Sequence, residues 1–241
     1  MPSPDQSSEI AERYAAVRDR VHTGARAAGR DPAEIRVLVA TKTQDAAAVR
    51  AVVAAGATLI GENRVQELIA KAPDLEDLVP SGVEVHMIGH LQRNKVNQVL
   101  ATAGTVETVD SLALARALSD RCARAGRVLD VMVQVNVSGE PSKSGVLPDD
   151  AAHLACDVAA LDGVRLVGFM TIGANSRDTA LVRAGFARLR RVRDDVLASG
   201  APGTGSATEL SMGMSGDLEL AVAEGATIVR VGTAVFGARP T

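Results

Sequence analysis

The sequence predicts an α/β protein folded as a single closed (β/α)8 barrel of the TIM type, with an extra helix before it. Eight short apolar runs alternate with helical segments along the 241 residues, a pattern typical of βαβ units and a parallel sheet. Barrels commonly form one domain of about 200–250 residues, so eight repeats in this length favour a closed barrel over an open sheet. We therefore expect one domain over residues 1–241.

The first helical pattern precedes any strand: Ile10, Tyr14, Val17, Val21 and Ala25 recur at helical spacing. The apolar runs that predict strands lie at 35–40, 58–61, 83–89, 105–109, 128–137, 164–170, 208–212 and 227–232. Between them, helical periodicity covers 45–56, 63–72, 93–102, 111–125, 148–161, 179–199 and 217–224. The runs at 105–109 and 208–212 are the weakest strand patterns.

The composition argues against several classes of function. The net charge is -3 and no basic run occurs, so a nucleic-acid surface is not expected. No segment approaches the roughly 18 uninterrupted apolar residues of a membrane-spanning helix, and no secretory signal is visible. Cys122 and Cys156 lack metal or redox spacing, which is typical of free thiols in a reducing compartment. We therefore expect a soluble cytoplasmic protein.

In a barrel, chemistry belongs at the carboxyl ends of the strands. Lys42 directly follows the first apolar run. It is either a surface lysine, which its position alone slightly favours, or a partly desolvated amine suited to imine formation. Asn63 follows the second run and has the character of a helix N-cap. His86 and His90 are four residues apart across the end of the third run, a spacing that does not favour a metal site.

Three further segments carry polar residues. Residues 136–145 form a loop rich in Gly and Ser, which is either a mobile lid or a plain surface loop. Residues 211–217 combine small residues with a helix start, which indicates an anion site or an ordinary turn capped by Ser215 or Asp217. Arg230 interrupts the last apolar run, where burial without a partner is costly. It faces either a ligand or the solvent-exposed end of the barrel.

The arrangement of these residues is more informative than any one of them. Phosphate groups in barrels commonly bind at the loops after strands 7 and 8, and these two loops here carry the anion-site pattern. Strand 1 is the neighbour of strand 8 in a closed barrel, so Lys42 is expected beside that phosphate site. A phosphate site, a reactive lysine and a buried cation at one mouth suggest pyridoxal 5′-phosphate (PLP).

The sequence resembles the PLP homeostasis protein family, the single-domain relatives of alanine racemase. The resemblance covers nearly the whole chain. It rests on seven motifs in order: VLVATKTQ around Lys42, GENRVQE at 61–67, HMIGHLQRNK at 86–95, VNVSGEPSKSG at 135–145, GFMTI at 168–172, LSMGMSGD at 210–217 and VRVGTAVFG at 229–237. One departure is Gly216, where many family members carry an acidic residue; Asp217 follows it directly.

The resemblance implies a fold-type III barrel with PLP bound as a Schiff base on Lys42. By it, Arg230 lies near the pyridine nitrogen of the cofactor. The phosphate is held, largely by backbone N–H groups, at four residues after strands 7 and 8: Ser211, Ser215, Gly232 and Thr233. Asn63 and His86 line the ring or the wall of the pocket.

The resemblance also bears on activity. Arginine does not give up its proton at neutral pH, so Arg230 would keep the pyridine nitrogen unprotonated and weaken the ring as an electron sink. Alanine racemase takes a catalytic tyrosine from a second domain, whereas the one tyrosine here, Tyr14, lies in the first helix. We therefore expect absent or feeble racemization, and a monomer, since that domain builds the racemase dimer.

Three functions remain open from the sequence. The first is a PLP carrier that buffers the cofactor and passes it to apo-enzymes. The second is an amino-acid racemase or another PLP-dependent enzyme. The third is a barrel for a different phosphorylated metabolite, with Lys42 only as a counter-charge.

Overall fold

All eight apolar runs form strands in a computed structural model, which describes residues 4–237. The strands pair in parallel in the order of the sequence, and the eighth pairs with the first, so the sheet is a closed barrel. Their bounds are β1 Arg36–Ala40, β2 Leu59–Glu62, β3 Glu84–Met87, β4 Thr105–Val109, β5 Leu129–Gln134, β6 Val164–Met170, β7 Glu209–Ser211 and β8 Ile228–Val231. The predicted fold class is confirmed, including the two weakest strands.

Helices surround the barrel. Their bounds are α1 Pro4–Ala27, α2 Ala46–Ala54, α3 Val65–Lys71, α4 Val96–Leu100, α5 Leu112–Arg124, α6 Pro148–Ala159, α7 Thr179–Ala198, α8 Leu218–Ala223 and α9 Thr233–Phe236. Short 3-10 turns lie at Pro32–Glu34, Ala72–Leu75, Arg93–Lys95 and Thr204–Ser206. The predicted helix at 93–102 is therefore shorter than its pattern, because its first turn is a 3-10 turn.

The extra helix α1 packs against α2, α8 and α9, beside the seam where β8 meets β1. Its predicted apolar stripe is buried from Ile10 to Ala25. Arg20 adds a hydrogen bond of 2.8 Å from Nε to Oε1 of Glu219 in α8. Burial of one continuous stripe explains why a helix outside the barrel repeat stays attached to it.

The apolar side chains form two layers. The larger cluster lies between the strands and the helices, and a smaller one fills the inside of the barrel. Successive residues of a strand alternate between the layers: Leu38 is in the inner cluster and Val39 in the outer, as are Ile228 and Val229. The inner cluster is small, so polar side chains occupy part of the barrel interior. Within residues 4–237, no helix is long and apolar enough to cross a lipid bilayer.

Candidate cofactor site at the carboxyl-terminal mouth

Parallel strands bring the residues that follow β1, β2, β7 and β8 to one end of the barrel, which we call the mouth. Lys42 lies in the turn after β1, and its side chain is half-buried. It makes no hydrogen bond or ion pair with the residues that the structure describes. Lys71 and Lys143, in contrast, are both paired with glutamates, at 2.7 Å from Glu62 and 2.6 Å from Glu140. The chain has only four lysines, and Lys42 is the one at a strand end with an unengaged amine.

The turn that carries Lys42 is held on both sides. Before it, Thr41 donates its hydroxyl to Oε1 of Glu62 at 2.6 Å, and Nζ of Lys71 donates to the Thr41 carbonyl at 2.7 Å. After it, the backbone N–H of Thr43 donates to Oε2 of Glu67 at 2.6 Å. These contacts with the end of β2 and with α3 fix the backbone on either side of the lysine.

Thr43 has a φ of 64°, and among the described residues it is the one non-glycine residue with a positive φ. A β-branched residue in this region is strained by about 1–3 kcal/mol, and such strain persists where the surroundings determine it. The strain lies one residue from Lys42. The sequence carries no signal for it, since a glycine or an asparagine would be the usual residue here.

Asn63 lies at the mouth after β2, half-buried, and its Oδ1 is buried without a hydrogen-bond partner in the described chain. It is not the N-cap that the sequence suggested: α3 begins at Val65, and the cap position is Arg64. Its backbone is packed by Gly89, where a Cβ atom would lie 1.9 Å from the Asn63 carbonyl oxygen. The side chain is therefore available at the mouth rather than used to cap a helix.

The loops after β7 and β8 meet as predicted. Gly213 has a φ of 88°, and a Cβ there would lie 2.4 Å from Cβ of Ala221, so only glycine lets this loop fold onto α8. Oγ of Ser215 accepts a hydrogen bond of 3.3 Å from the backbone N–H of Ala234, one residue after Thr233. Asp217 accepts from the N–H of Met214 at 2.5 Å and makes no side-chain cap on α8. The two loops thus form one joined turn, which places Ser215, Gly232 and Thr233 together.

Arg230 points into the barrel and is 6% exposed. Its Nη1 donates to Oγ of Ser211 at 2.8 Å, and its Nη2 donates to the carbonyl of Thr171 at 2.6 Å. The alternative of a solvent-exposed arginine is therefore wrong. Ser211 in turn donates its hydroxyl to Oε2 of Glu107 at 2.5 Å. The Ser211 hydroxyl is thus bonded inside the barrel, and the expected role of Ser211 in holding the phosphate stays a prediction.

His86 also lies inside the barrel, but below the mouth. Its Nδ1 is 2.7 Å from Oε1 of Glu107, and its Nε2 faces Oε2 of Glu84 at 3.6 Å. It lines a cavity of about 470 Å³ at the amino-terminal end of the barrel, with Arg36 and Asp130 among its other walls. The His86 ring thus faces the amino-terminal end of the barrel, and its expected place at the ring or the wall of the cofactor pocket stays a prediction.

Glu107 was missed by the sequence reasoning, although it is fully buried on β4. Burial alone would raise its pKa, but the hydrogen bond from His86 and the charges of His86 and Arg230 lower it below the usual value. Burial alone would likewise lower the pKa of His86, and the hydrogen bond to Glu107 together with the nearby Glu84 carboxylate raises it instead. A signal was present: Glu107, His86, Ser211 and Arg230 each follow an outward apolar residue in a strand, so all four face inward.

The loop after β5 is tied down in this structure. Asn136 donates from Nδ2 to the carbonyl of Glu140 at 2.9 Å, and Lys143 donates from Nζ to the carbonyl of Gly173 at 2.9 Å. The loop is thus bonded internally and to the segment after β6. Among the residues described, no cluster of three or more His, Cys, Asp or Glu side chains is arranged to hold a metal ion.

The mouth fits PLP in its residue types and their placing. An unengaged amine can condense with an aldehyde, a joined turn of small residues can accept a phosphate, and the buried Oδ1 of Asn63 lacks a partner. Arg230 supplies a buried cation below the turn.

Comparisons with known proteins agree with this fit. The chain matches the family model described as alanine racemase, N-terminal domain, over residues 13–240. A protein named pyridoxal phosphate homeostasis protein from Pseudomonas aeruginosa is 45% identical over 232 residues, which are 96% of each chain. Proteins of the same name from Escherichia coli and Aquifex aeolicus are 39% and 37% identical over 96% and 95% of this chain.

Solved structures give the same picture. A protein of Bifidobacterium adolescentis described as unknown is 44% identical, with a TM-score of 0.95 over 98% of both chains. PipY of Synechococcus elongatus, solved with PLP bound, is 36% identical, with a TM-score of 0.81 over 95% of this chain and 100% of PipY. Alanine racemase of Corynebacterium glutamicum is 17% identical, with a TM-score of 0.68 over 97% of this chain and 62% of its own, a likeness of fold alone.

Proposed function

The chain belongs to the alanine racemase N-terminal domain family and, within it, to the pyridoxal phosphate homeostasis proteins; from that membership we propose that it binds PLP as a Schiff base on Lys42 and acts in PLP homeostasis. The observation that carries the proposal is the Lys42 amine, half-buried and unengaged in a strained turn beside the joined loops after β7 and β8. PLP bound there supplies an aldehyde that a lysine amine takes up reversibly.

Different residues of the mouth contact different parts of the cofactor. Ser215, Gly232 and Thr233 hold the phosphate in the joined turn, and Asn63 contacts the ring with its unpartnered amide oxygen. Arg230 faces the pyridine nitrogen, and its permanent charge keeps that nitrogen unprotonated. A ring held in this way is a poor electron sink, which suits a protein that stores and releases the cofactor.

The same geometry favours a carrier over a racemase. Tyr14, the single tyrosine of the sequence, is buried in the stripe of α1 that packs on α8 and α9. This chain therefore brings no phenol to the mouth as an acid or base. We propose that the protein acts as a monomer in the cytoplasm and passes PLP to apo-enzymes, without steady turnover of an amino acid.

Absorbance and mass spectrometry test the attachment site. The purified protein with added PLP is expected to show a near-ultraviolet or visible band that borohydride removes, with the label on the peptide of Lys42. Lys42→Ala should lose the band. Lys95→Ala is the matched control, since Lys95 is also half-buried but lies at the start of α4 away from a strand end, and it should keep the band. A label on another lysine, or no band in the unaltered protein, would overturn the proposal.

Delivery is tested separately by mixing the loaded protein with an apo PLP-dependent enzyme. The activity of the recipient enzyme should return even when a reagent that captures free PLP is present. The borohydride-reduced protein, which cannot release its cofactor, should restore no activity. Steady turnover of any amino acid that is lost in Lys42→Ala would instead support the racemase alternative.

A further inference from the structure

A chain of buried polar side chains crosses the barrel interior from the mouth to the opposite end. It runs from Arg230 on β8 through Ser211 on β7 and Glu107 on β4 to His86 on β3, with links of 2.8, 2.5 and 2.7 Å. Strands β4 and β8 lie on opposite sides of the eight-stranded barrel. Glu107 therefore reaches across the interior to the group that holds the arginine.

The burial of the Glu107 carboxylate is unfavourable for stability. Its side chain is 0% exposed, and a buried carboxylate costs stability unless charge and hydrogen bonds offset the loss of water. Both of its oxygens are used, Oε1 by His86 and Oε2 by Ser211. A well-packed apolar residue would fill the same space at lower cost, so the carboxylate calls for a reason other than packing.

Resting on the function proposed above, we propose that Glu107 is the positioning residue of the cofactor site: through Ser211 it fixes the direction of Arg230 and supplies the counter-charge to its guanidinium. The hydrogen bonds of Arg230 agree with this role. Nη1 donates to Ser211, whose hydroxyl Glu107 orders, and Nη2 donates to the backbone carbonyl of Thr171, so Glu107 fixes one of the two contacts that orient the guanidinium plane. Glu107 does not touch the cofactor, and it acts through the arginine.

The consequence is measurable on the bound cofactor. Glu107 offsets the positive charge of Arg230, and an arginine without this counter-charge disfavours the protonated, positively charged form of the Schiff base on Lys42. The protonated and neutral forms of the Schiff base absorb at different wavelengths, so a pH titration of the absorbance gives the midpoint of its deprotonation. Glu107→Gln keeps the shape of the side chain and removes its charge, so this midpoint should fall by about 0.5 unit or more. Ser211→Ala, which cuts the link and leaves the charge, should move the midpoint in the same direction by less. In both variants borohydride should still label Lys42.

Asp130→Asn is the matched control, since Asp130 pairs with Arg165 at the amino-terminal end and makes no contact with Arg230. Its midpoint should equal that of the unaltered protein. A Glu107→Gln protein that binds PLP with an unchanged midpoint would overturn the positioning role.

A second measurement needs no cofactor. In urea unfolding of the protein without PLP, Arg230→Gln should cost less stability in a Glu107→Gln background than in the unaltered one. In the unaltered background the loss of the arginine leaves the buried Glu107 carboxylate without its counter-charge, so the two losses are not additive. Additive losses would contradict the link between Glu107 and Arg230. If the unaltered protein shows no band that borohydride reduces, the proposed function fails, and so does the effect of Glu107 on the bound cofactor. The unfolding measurements on the single and double variants would still decide whether Glu107 holds Arg230.

Discussion

Thr43 has a strained backbone conformation next to Lys42, the residue whose amine we propose as the attachment point of PLP. Its φ of 64° is a conformation that L-residues with a branched Cβ rarely adopt. The hydrogen bond from its N–H to Glu67 holds it there, while Glu62 and Lys71 hold the residue before Lys42. Rigid surroundings of this kind direct a flexible lysine side chain toward the mouth by fixing its backbone.

Thr43→Gly should therefore stabilise the protein. Relief of strain of about 1–2 kcal/mol exceeds the entropy cost of a glycine, about 0.5–1 kcal/mol. We expect a net gain of roughly 0.5 kcal/mol in urea unfolding, together with weaker PLP binding because Lys42 is less well directed. Thr102→Gly is the control: Thr102 has no positive φ, and the change should lower stability. Equal losses in both variants would show that Thr43 is not strained.

At the same scale, the sequence predicted the positions of the candidate residues along the barrel better than the directions of their side chains. Lys42, Asn63, Ser215, Gly232 and Thr233 lie at the mouth, as expected from their places after strands. Ser211 and His86 instead face the interior, because each sits within a strand and obeys its alternation. Glu107 escaped notice because it lies in the weak run at 105–109, whose burial only the closed barrel reveals.

At the scale of elements, the strands were predictable because buried parallel strands are apolar on both faces. The helix starts were less so, because propensity does not distinguish a 3-10 turn from a first α-helical turn, as at Arg93–Lys95. The joining of elements is set by close backbone contacts. At the end of β3, Gly89 packs on the Asn63 carbonyl, and its own carbonyl accepts from the Thr108 hydroxyl at 2.8 Å.

Gly89→Ala should accordingly be severe. Its Cβ would lie 1.9 Å from a backbone oxygen that cannot move without shifting the end of β2. We expect a loss of about 2–3 kcal/mol or more in urea unfolding and weaker PLP binding through Asn63. Gly104→Ala is the matched control, with no atom within 4 Å of the added Cβ, and its stability should stay within about 0.5 kcal/mol. A mild Gly89→Ala would mean that the β2 and β3 ends are free to separate.

For the whole molecule, the acid stability depends on the amino-terminal end of the barrel. The His86 imidazole and the Arg36 guanidinium, which donates two hydrogen bonds of 2.9 and 3.0 Å, lower the pKa of Glu84 from 4.5 to about 2. A carboxyl with a lower pKa in the folded protein stabilises it above the unfolded value and loses that effect as the pH falls toward the folded value.

Glu84→Gln should therefore flatten the loss of stability between about pH 5 and pH 2. The side chain is 56% exposed, so solvent screening reduces the contribution to about 1 kcal/mol. Urea unfolding at pH 6, 4 and 3 measures it, with the exposed Glu76→Gln as control. If Glu76→Gln reduces the acid dependence of the free energy of unfolding as much as Glu84→Gln does, the effect is not specific to the Glu84 ion pair.

The division of the apolar side chains into an outer and an inner cluster matters for redesign. Neighbouring positions of one strand serve different compartments, since outward residues bind the helices and inward residues surround the polar chain. A combinatorial library limited to inward positions such as Leu59, Met132 and Ile228 would leave the contacts of the shell intact. The inside of the barrel can therefore be redesigned separately from the packing of the helices on the sheet, because the two sets of side chains do not overlap.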